Sequence, residues 1–280
     1  MQNNLQKFNF DISIIIINYN TFQLTNQCIN SVYKYTKEIN YEVILIDNGS
    51  TECDPDIFVQ NFPNINLIKS KNNLGFSKGN NLGIEKATGK IILLLNSDTQ
   101  LKENSIKTVF DYLVNHEKVG AASCRLIFPD GKYQSVCQRF PSIKYQLFEL
   151  LRLHKLFTKR KAGRILLGSF FDYNENVTVD WIWGAFFMFR ATIIQDLPEM
   201  KLNEDFFMYG EDIQWCWDIN KLGYEIHYCS NAEIIHYMGG SSGNKNYLIE
   251  KNNSIFLKKN YFFIHRVFIK WLEFLLKISQ

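Results

Sequence analysis

The chain has 280 residues, 46% of them hydrophobic and 21% charged, which suits one large α/β domain or two small ones. A net charge of +3 is too small to argue for nucleic-acid binding, so no nucleic-acid partner is expected. The six cysteines form no CxxC pair, and no cysteine and histidine cluster has zinc-finger spacing, so we expect buried thiols in a reducing compartment.

The N-terminal segment, Met1 to Phe10, is polar and lacks the apolar centre of a signal peptide. No uninterrupted apolar stretch further along the chain is long enough to cross a bilayer. These two features predict a cytoplasmic protein that is either free or attached at the inner face of the cell membrane.

Predicted strands and helices alternate through the first third of the chain. Four apolar runs predict strands at 12–17, 42–46, 66–68 and 91–95, and helices are predicted at 22–37 and from Gly79 to Ala87. This alternation indicates a mostly parallel central sheet with right-handed crossovers, flanked by helices. Because the carboxyl ends of parallel strands share one edge, polar residues that follow the strands are expected to meet at a ligand site. Those residues are Asn18 and Asn20, Asp47 and Asn48, and Asn96 and Asp98.

The tetrapeptide Asn96-Ser97-Asp98-Thr99 ends the apolar run 91–95. All four residue types form turns readily, so an ordinary turn explains the tetrapeptide as well as a functional site does. The functional alternative is a site for a divalent metal and a phosphate, because a carboxylate just past a buried strand lies where open α/β sheets bind ligands. The other acidic and amide groups at strand ends favour this second alternative.

The second half of the chain has a different pattern. It predicts five elements: a hairpin around Pro129-Asp130-Gly131, a helical insertion with a basic face, an aromatic segment, a helix that begins after Gly210, and a last strand. They are expected in that order at 125–136, 142–168, 179–190, 205–222 and 227–236. No linker rich in Gly, Ser or Pro divides the chain, so we expect one catalytic domain followed by a C-terminal appendage.

Glu211 and Asp212 lie in the first turn of the helix predicted after Gly210. Carboxylates at this place interact favourably with the helix dipole, so a purely stabilising role is one interpretation. The alternative is catalysis, since aromatic residues such as Trp183 and Tyr209 would surround a carboxylate with walls on which sugars pack. A carboxylate in that setting can take a proton from an attacking hydroxyl.

His236 follows the predicted last strand and precedes Gly239-Gly240-Ser241-Ser242. A single histidine at a strand end is more often structural than a ligand. Neutral imidazole does bind divalent metals, however, and a glycine-rich loop beside it would let a phosphate approach closely.

In their order along the chain, these motifs resemble those of inverting family-2 glycosyltransferases with the GT-A fold, most closely the bacterial rhamnosyltransferase-like branch. The family's metal motif is D-x-D, or N-x-D in this branch, so Asn96 takes the first place and Asp98 would carry most of the metal contact. Each motif is weak alone, but their shared order over roughly residues 10–245 is a strong signal. The matching motifs are Ser13 to Asn20, Ile46 to Ser50, Asn73 to Phe76 with Gly79 to Asn81, Leu95 to Asp98, Trp183 to Ala185, Phe207 to Asp212, and His236.

The resemblance implies a Rossmann-like nucleotide-sugar-binding half at 10–100, an acceptor half at 101–245 and a helical tail at 246–280. Asp212 would be the general base that deprotonates the acceptor hydroxyl, and Glu211 would position the acceptor. The nucleotide-diphosphate sugar would be held by Asn18, Asn20, Asp47, Asn48, Asn73, Gly75, Asn80, Asn96 and Asp98.

The resemblance also implies that Asp98 and His236 bind Mg²⁺ or Mn²⁺, which bridges the donor's diphosphate. Trp183, Gly184 and Tyr209 would shape the sugar or acceptor pocket. The branch makes thymidine-diphosphate rhamnose the first donor to consider, with uridine-diphosphate hexoses or N-acetylhexosamines left open. The acceptor would be a hydroxyl of a growing surface glycan, such as lipopolysaccharide O-antigen or capsule, or of a lipid-linked glycan.

Three other functions were compared with this one. A sugar-nucleotide nucleotidyltransferase would need a glycine- and lysine-rich phosphate loop after the first strand, where this chain has Asn18-Tyr19-Asn20-Thr21. A nicotinamide dehydrogenase would need GxGxxG there, and that motif is absent. A non-catalytic glycosyltransferase-like scaffold is disfavoured by the presence of Asp98, Asp212 and His236.

The C-terminal tail predicts an amphipathic helix from Tyr261 to Ile278. Arg266, Lys270, Glu273 and Lys277 recur at helical spacing, and the rest of the helix is almost wholly apolar. This pattern predicts a peripheral membrane contact through residues 255–280, with a mainly basic strip toward anionic lipid. The alternative is a helix packed on its own domain or in a homodimer.

Overall fold

The computed structural model describes residues 8–238 and 245–279. The strands are β1 (Phe10–Asn18), β2 (Tyr41–Asp47), β3 (Ile65–Lys69), β4 (Gly89–Asn96), β5 (Thr99–Leu101), β6 (Val119–Ile127), β7 (Cys137–Gln138), β8 (Val177–Val179), β9 (Trp181–Ile182), β10 (Phe186–Arg190) and β11 (Glu225–His236). The helices are α1 (Phe22–Tyr35), α2 (Asp56–Asn61), α3 (Phe76–Ile84), α4 (Ser105–Asn115), α5 (Ile143–Leu150), α6 (Lys159–Leu166), α7 (Ile193–Asp196), α8 (Glu211–Lys221), α9 (Lys245–Asn260) and α10 (Phe263–Ser279). The four strands predicted in the first third of the chain lie within β1 to β4.

A nine-stranded sheet forms the centre of the fold, with the order β3-β2-β1-β4-β10-β6-β11-β5 and β8 paired to β11. The first four strands are parallel, as the sequence predicts. In the second half, β10 runs antiparallel to β4 and β6, and β5 and β8 run antiparallel to β11. The sheet is therefore mixed overall, because strand direction in this half depends on tertiary pairings that hydrophobic patterns do not encode.

Strand β1 lies inside the sheet because of its β-branched residues. Ile12, Ile14, Ile15 and Ile16 are fully buried, and burial of each isoleucine contributes about 1.5–3 kcal/mol relative to an exposed one. The parallel register pairs Asn18 of β1 with Asp47 of β2, and Ile17 with Asn96 of β4. The polar residues at these three strand ends therefore meet at one edge, as predicted.

The predicted hairpin at 125–136 forms only at its turn. At the turn, the Phe128 N–H donates to the Lys132 carbonyl and the Gly131 N–H donates to the Phe128 carbonyl, and Tyr133 makes one isolated bridge back to Ile127. The expected second arm is not a strand, because the Val136 N–H donates to the Gln134 carbonyl and this tight turn bends the chain away from β6. Cys137 and Gln138 pair with β9 instead.

The segment predicted as a helical insertion is helical. It consists of α5, a short 3₁₀ helix at Leu153–Leu156, α6 and a second 3₁₀ helix at Gly168–Phe170. The side chains of Ser142 and Thr158 accept hydrogen bonds from the first turns of α5 and α6, which fixes where these helices begin. Helix α5 packs against α10 in the C-terminal tail.

Helices α9 and α10 form an antiparallel pair. Lys277 bonds Glu250, and Lys270 bonds Ser254, so part of the basic strip of α10 lies against α9. Both lysines are nevertheless exposed, and the contact of the strip with lipid stays a prediction. Phe256 and Leu257 of α9 pack into a small core with Phe206 and Ile213. Within the described ranges, no helix is both long and apolar enough to span a membrane.

Candidate active site

A cleft of about 560 Å³ opens at the edge of the sheet where β1, β2 and β4 end. Its walls come from four further segments: the loop before α3, the turn between β9 and β10, the start of α8 and the end of β11. The predicted residues that line it are Asn48, Asn73, Gly75, Asn96, Asp98, Trp183, Gly184, Tyr209, Glu211, Asp212 and His236. Asn48 and His236 are 188 positions apart in the sequence, and only the fold brings them to one cavity.

Asp98 and His236 meet in one corner of the cleft. Both are buried, and Asp98 Oδ1 lies 3.4 Å from His236 Nε2. The pairing of β5 with β11 brings them together, since Thr99 is the partner of His236 in that ladder and Tyr237 N donates to the Asp98 carbonyl. The structure therefore joins the two residues that the sequence predicts as metal ligands.

Gln134 holds the His236 ring with two hydrogen bonds. The Gln134 Nε2 group donates to the His236 carbonyl oxygen at 2.7 Å, which orients the amide. Gln134 Oε1 then accepts from His236 Nδ1 at 2.7 Å, so Nδ1 carries a proton and Nε2 is the ring nitrogen that lies toward Asp98. In the neutral ring this nitrogen is an acceptor, and with the Asp98 carboxylate it forms a pair of groups that can bind a divalent cation.

Asn96 supplies a third donor atom to the same corner. Its Oδ1 atom is buried without a hydrogen-bond partner, which is costly unless a ligand satisfies it. Two oxygens and one imidazole nitrogen suit Mg²⁺ or Mn²⁺, which usually bind few protein groups and complete their shell with water and phosphate oxygens. Within 8–238 and 245–279, no group of three or more His, Cys, Asp or Glu could hold a metal, so this corner has only two residues of those types and depends on the Asn96 amide for its third protein atom.

Glu211 and Asp212 lie in the opposite wall, at the start of α8. The Asp212 carboxylate accepts hydrogen bonds from the Gly184 N–H at 3.3 Å and the Ile213 N–H at 2.9 Å. Burial raises the pKa of Asp212 to about 6, against the opposing effect of these two donors. Burial and the neighbouring Asp212 charge raise the pKa of Glu211 well above its usual range, and Glu211 Oε2 has no hydrogen-bond partner.

The backbone at the start of α8 requires glycine. Gly210 has φ +104°, a conformation that residues with a side chain rarely adopt, and a Cβ there would lie 3.0 Å from Asn252 Cβ. Gly75 has φ +81°, and a Cβ there would come within 2.4 Å of the Phe207 carbonyl oxygen. Phe76 N donates to that same oxygen, so the loop before α3 is held against the loop before α8.

The predicted nucleotide residues divide into two groups. Asn73, Gly75 and Asn48 line the cleft, although the buried Asn48 amide is bonded to Asn73, Leu74 and Gly75 and so holds their loop in place. Four predicted residues, Asn18, Asn20, Asp47 and Asn80, are not in the lining.

Hydrogen bonds inside the protein account for those four. Asn18 is buried and donates to the Asp47 carboxylate, which also accepts from Ser50 N. Asn20 is exposed and accepts from Thr51 N, while Asn80 is buried and donates to the Phe76 carbonyl. These side chains therefore stabilise the loops at the strand ends, and their contact with the donor stays a prediction.

Sequence reasoning did not identify several parts of the cleft. Ile249 and Asn253 of α9 line it, as do Trp181 and Gln138. Asn252 is buried and its amide donates to the carbonyls of Met208 and Tyr209, directly before the two carboxylates. No local motif marks these residues or Gln134, because tertiary packing alone brings them to the site. The predicted phosphate-approach loop, Gly239-Gly240-Ser241-Ser242, lies outside the described residues.

Comparison with known proteins agrees with this geometry. Residues 13–196, more than half of the chain, match the family described as Glycosyl transferase family 2. The chain belongs to this family. It is a glycosyltransferase, and its mixed α/β architecture is the GT-A fold.

Among curated relatives, this glycosyltransferase is 25% identical over 225 residues to N-acetylglucosaminyl-diphospho-decaprenol L-rhamnosyltransferase of Mycobacterium tuberculosis, covering 72% of the chain and 68% of the relative. It is also 25% identical to the low-salt glycan biosynthesis hexosyltransferase Agl10 of Haloferax volcanii, covering 81% of the chain and 67% of the relative. A solved structure of GalNAc-T7 with UDP, GalNAc and Mn²⁺ matches with a TM-score of 0.61 at 14% identity, over 86% of the chain. The chain spans about half of that structure, 48%, so this likeness concerns the fold alone.

Proposed function

We propose that this glycosyltransferase moves a sugar from a nucleotide-diphosphate donor to a hydroxyl of a growing glycan, with inversion at the anomeric carbon. One observation carries the proposal. A carboxylate, Asp212, whose pKa is raised toward the neutral range, lies in the same cleft as the donor set of Asp98, His236 and Asn96. A base for the acceptor and a site for the leaving group are the two parts that a single displacement requires.

In the proposed step, the acceptor hydroxyl oxygen attacks the anomeric carbon from the face opposite the diphosphate. The bond from that carbon to the diphosphate oxygen breaks, and its electron pair leaves with the nucleoside diphosphate. Asp212 takes the proton of the hydroxyl, and the Gly184 N–H orients the carboxylate that receives it. Glu211, kept neutral by burial, lies beside this base and would position the acceptor.

Asp98, His236 and Asn96 are the residues that would hold Mg²⁺ or Mn²⁺. When bound, such an ion stabilises the negative charge that develops on the leaving diphosphate. Gln134 orients the His236 ring so that Nε2 lies toward Asp98, and the Asp98 carboxylate supplies the charge that Asn96 lacks. Trp183 and Tyr209 give the cleft aromatic surface on which a sugar ring can pack.

The names of the relatives support a rhamnosyl or other hexosyl donor. Thymidine-diphosphate rhamnose is the first donor proposed, followed by uridine-diphosphate hexoses and N-acetylhexosamines. The acceptor proposed is a lipid-linked or surface glycan such as O-antigen or capsule, reached by a cytoplasmic enzyme at the inner face of the membrane. A homodimer is the alternative use of the tail.

The change Asp212→Asn tests the proposed base. Asparagine keeps the shape of the side chain but cannot accept the proton, so turnover is expected to fall by about 10²- to 10⁴-fold. Binding of a nucleoside diphosphate with Mn²⁺, followed as a thermal shift, is expected to stay close to that of the wild type. Asp218→Asn, in the same helix but outside the cleft lining, is the matched control and is expected to retain activity.

The wild-type enzyme gives a second measurement of the same base. Its kcat/KM is expected to fall as the pH decreases below about 6, because Asp212 must be ionised to accept the proton. Full activity of Asp212→Asn, or undiminished turnover in excess chelator, would remove the base or the metal site from the proposal. Tight nucleotide binding by the wild type without transfer to any acceptor would favour the non-catalytic scaffold.

A further inference from the structure

Helix α10 presents an apolar face outward. Ile264, Val267, Trp271, Phe274 and Ile278 recur every three or four residues, so they share one side of the helix. Each of these side chains is at least 51% exposed, and Phe262 and Phe263 at the start of the helix are 84% and 69% exposed. An apolar surface of this extent on a globular protein is typical of a contact with another molecule or with a membrane.

Several polar side chains of α10 have hydrogen-bond partners on the neighbouring helices. Lys270 donates to Ser254 Oγ at 3.0 Å, and Lys277 contacts Glu250 at 3.1 Å. Glu273 lies against α5, where its Oε1 accepts from Gln146 at 3.4 Å. Ile269 and Leu272 are buried on this inner side as well. Lys270 and Lys277 remain exposed, so the surface of α10 carries basic groups as well as its apolar face.

A second segment next to α10 combines exposed apolar and basic side chains. This segment, residues 151–161, follows α5, which packs on α10, and ends in the first turn of α6. Leu151 and Leu156 are 62% and 78% exposed. The sequence from 150 to 171 has six Arg or Lys residues and no Asp or Glu. The basic residues are Arg152, Lys155, Lys159, Arg160, Lys161 and Arg164.

Charge distinguishes between the molecules that could cover this surface. Residues 245–279 contain seven Lys or Arg and two Glu, whereas the whole chain has a net charge of only +3. The positive charge is therefore concentrated in the tail pair and the adjacent segment. A second copy of the chain would bring two basic surfaces together, whereas anionic lipid headgroups complement them.

We propose that the outward face of α10 and segment 151–161 together form a docking surface for an anionic lipid bilayer. The apolar side chains would enter the headgroup and upper acyl region, and the lysines and arginines would bind lipid phosphates. Helix α9 connects α10 to the cleft, since its Glu250 contacts Lys277 of α10 and its Ile249 lines the cleft. A docked enzyme would thus have its cleft close to the membrane.

Co-sedimentation of the 280-residue chain with vesicles tests this surface. The assay contains no sugar donor or acceptor, so its result is independent of the proposed transfer. One vesicle set is phosphatidylcholine, and the other is phosphatidylcholine mixed with phosphatidylglycerol. Two triple variants are compared with the wild type: Ile264→Ser with Trp271→Ser and Phe274→Ser, and Lys155→Glu with Lys159→Glu and Lys161→Glu. All six side chains are exposed, so both variants are expected to unfold at the wild-type temperature.

The wild type is expected to bind the anionic vesicles about tenfold or more tightly than the neutral ones, and each triple variant to lose about tenfold or more. Matched controls change exposed residues elsewhere: Val59→Ser with Val114→Ser, and Lys86→Glu with Lys102→Glu and Lys118→Glu. These controls are expected to bind like the wild type.

Three results would overturn the proposal. Equal binding by the wild type and both triple variants would exclude the whole surface. If the lysine variant binds the vesicles as tightly as the wild type while the α10 variant does not, segment 151–161 is not part of the surface. A dimer in light scattering that dissociates in the α10 variant, with no vesicle binding by the wild type, would show that a second copy covers the face.

Discussion

The Gln134 side chain shows how much of the cleft depends on a single residue. It forms two hydrogen bonds with His236, one to the carbonyl oxygen and one to the ring, and the two residues are 102 positions apart. The two bonds together fix both the orientation of the amide and the tautomer of the ring. The tautomer of the His236 ring in the cleft therefore depends on a neutral residue that carries no motif.

Replacing Gln134 with leucine is expected to weaken Mn²⁺ binding by about 10- to 100-fold, because the ring loses the acceptor that orients it. Titration calorimetry with Mn²⁺ in the presence of a nucleoside diphosphate measures this change. The ring nitrogens of ¹⁵N-labelled His236 provide a structural measurement, with Nδ1 protonated in the metal-free wild type and a tautomer mixture in the variant. An unchanged Mn²⁺ dissociation constant together with unchanged nitrogen shifts would contradict this role.

At the scale of secondary structure, the elements with strong local patterns were predicted and those fixed by long-range packing were not. β1, β2 and β4 are buried apolar runs, and the polar residues at their ends follow from the parallel register. The prediction of a second hairpin arm was wrong, because the hydrogen bond from the Val136 N–H to the Gln134 carbonyl bends the chain away from the sheet. Patterns in the sequence give the periodicity of an element but not its partners.

Helix α9 is the clearest case of a role that the sequence does not reveal. The sequence predicts a tail that follows the catalytic domain, whereas α9 lines the cleft and holds the loop before α8. Tyr209 and Gly210 in that loop both have positive φ, a conformation that needs support from its surroundings. The Asn252 amide gives this support through the carbonyls of Met208 and Tyr209.

The change Asn252→Ala is expected to lower stability by about 1–3 kcal/mol, because two partly buried carbonyl groups lose the buried amide that donates to them. It is also expected to reduce kcat more than it changes the KM for the donor, since the loop leads directly to Glu211 and Asp212. Thermal unfolding and steady-state kinetics measure the two effects. Lys251→Ala, at an exposed position of the same helix, is the control. If Asn252→Ala and the control behave alike in both assays, α9 does not position the loop.

At the scale of the whole molecule, the buried carboxylate pair links the active site to the stability of the fold. Burial raises the pKa values of Glu211 and Asp212 above their ordinary values of 4.5 and 3.8. Between the ordinary and the raised pKa, the folded state keeps protons that the unfolded chain has released. The free energy of unfolding therefore decreases as the pH rises through this range, by at most about 1.4 kcal/mol per pH unit for each group.

Replacing Glu211 with glutamine removes one of these titrating groups and keeps the shape of the side chain. Its unfolding free energy relative to the wild type is expected to be greater at pH 8 than at pH 5. At pH 8 the folded wild type keeps the Glu211 carboxyl protonated although the unfolded chain releases this proton, which destabilises the wild type but not the glutamine variant. Urea unfolding at the two pH values measures the difference, and Glu85→Gln at an exposed position is the control. A pH-independent difference between Glu211→Gln and the wild type would mean that Glu211 titrates alike in the folded and unfolded states. The neutral carboxyl assigned to acceptor positioning would then be ionised at the working pH.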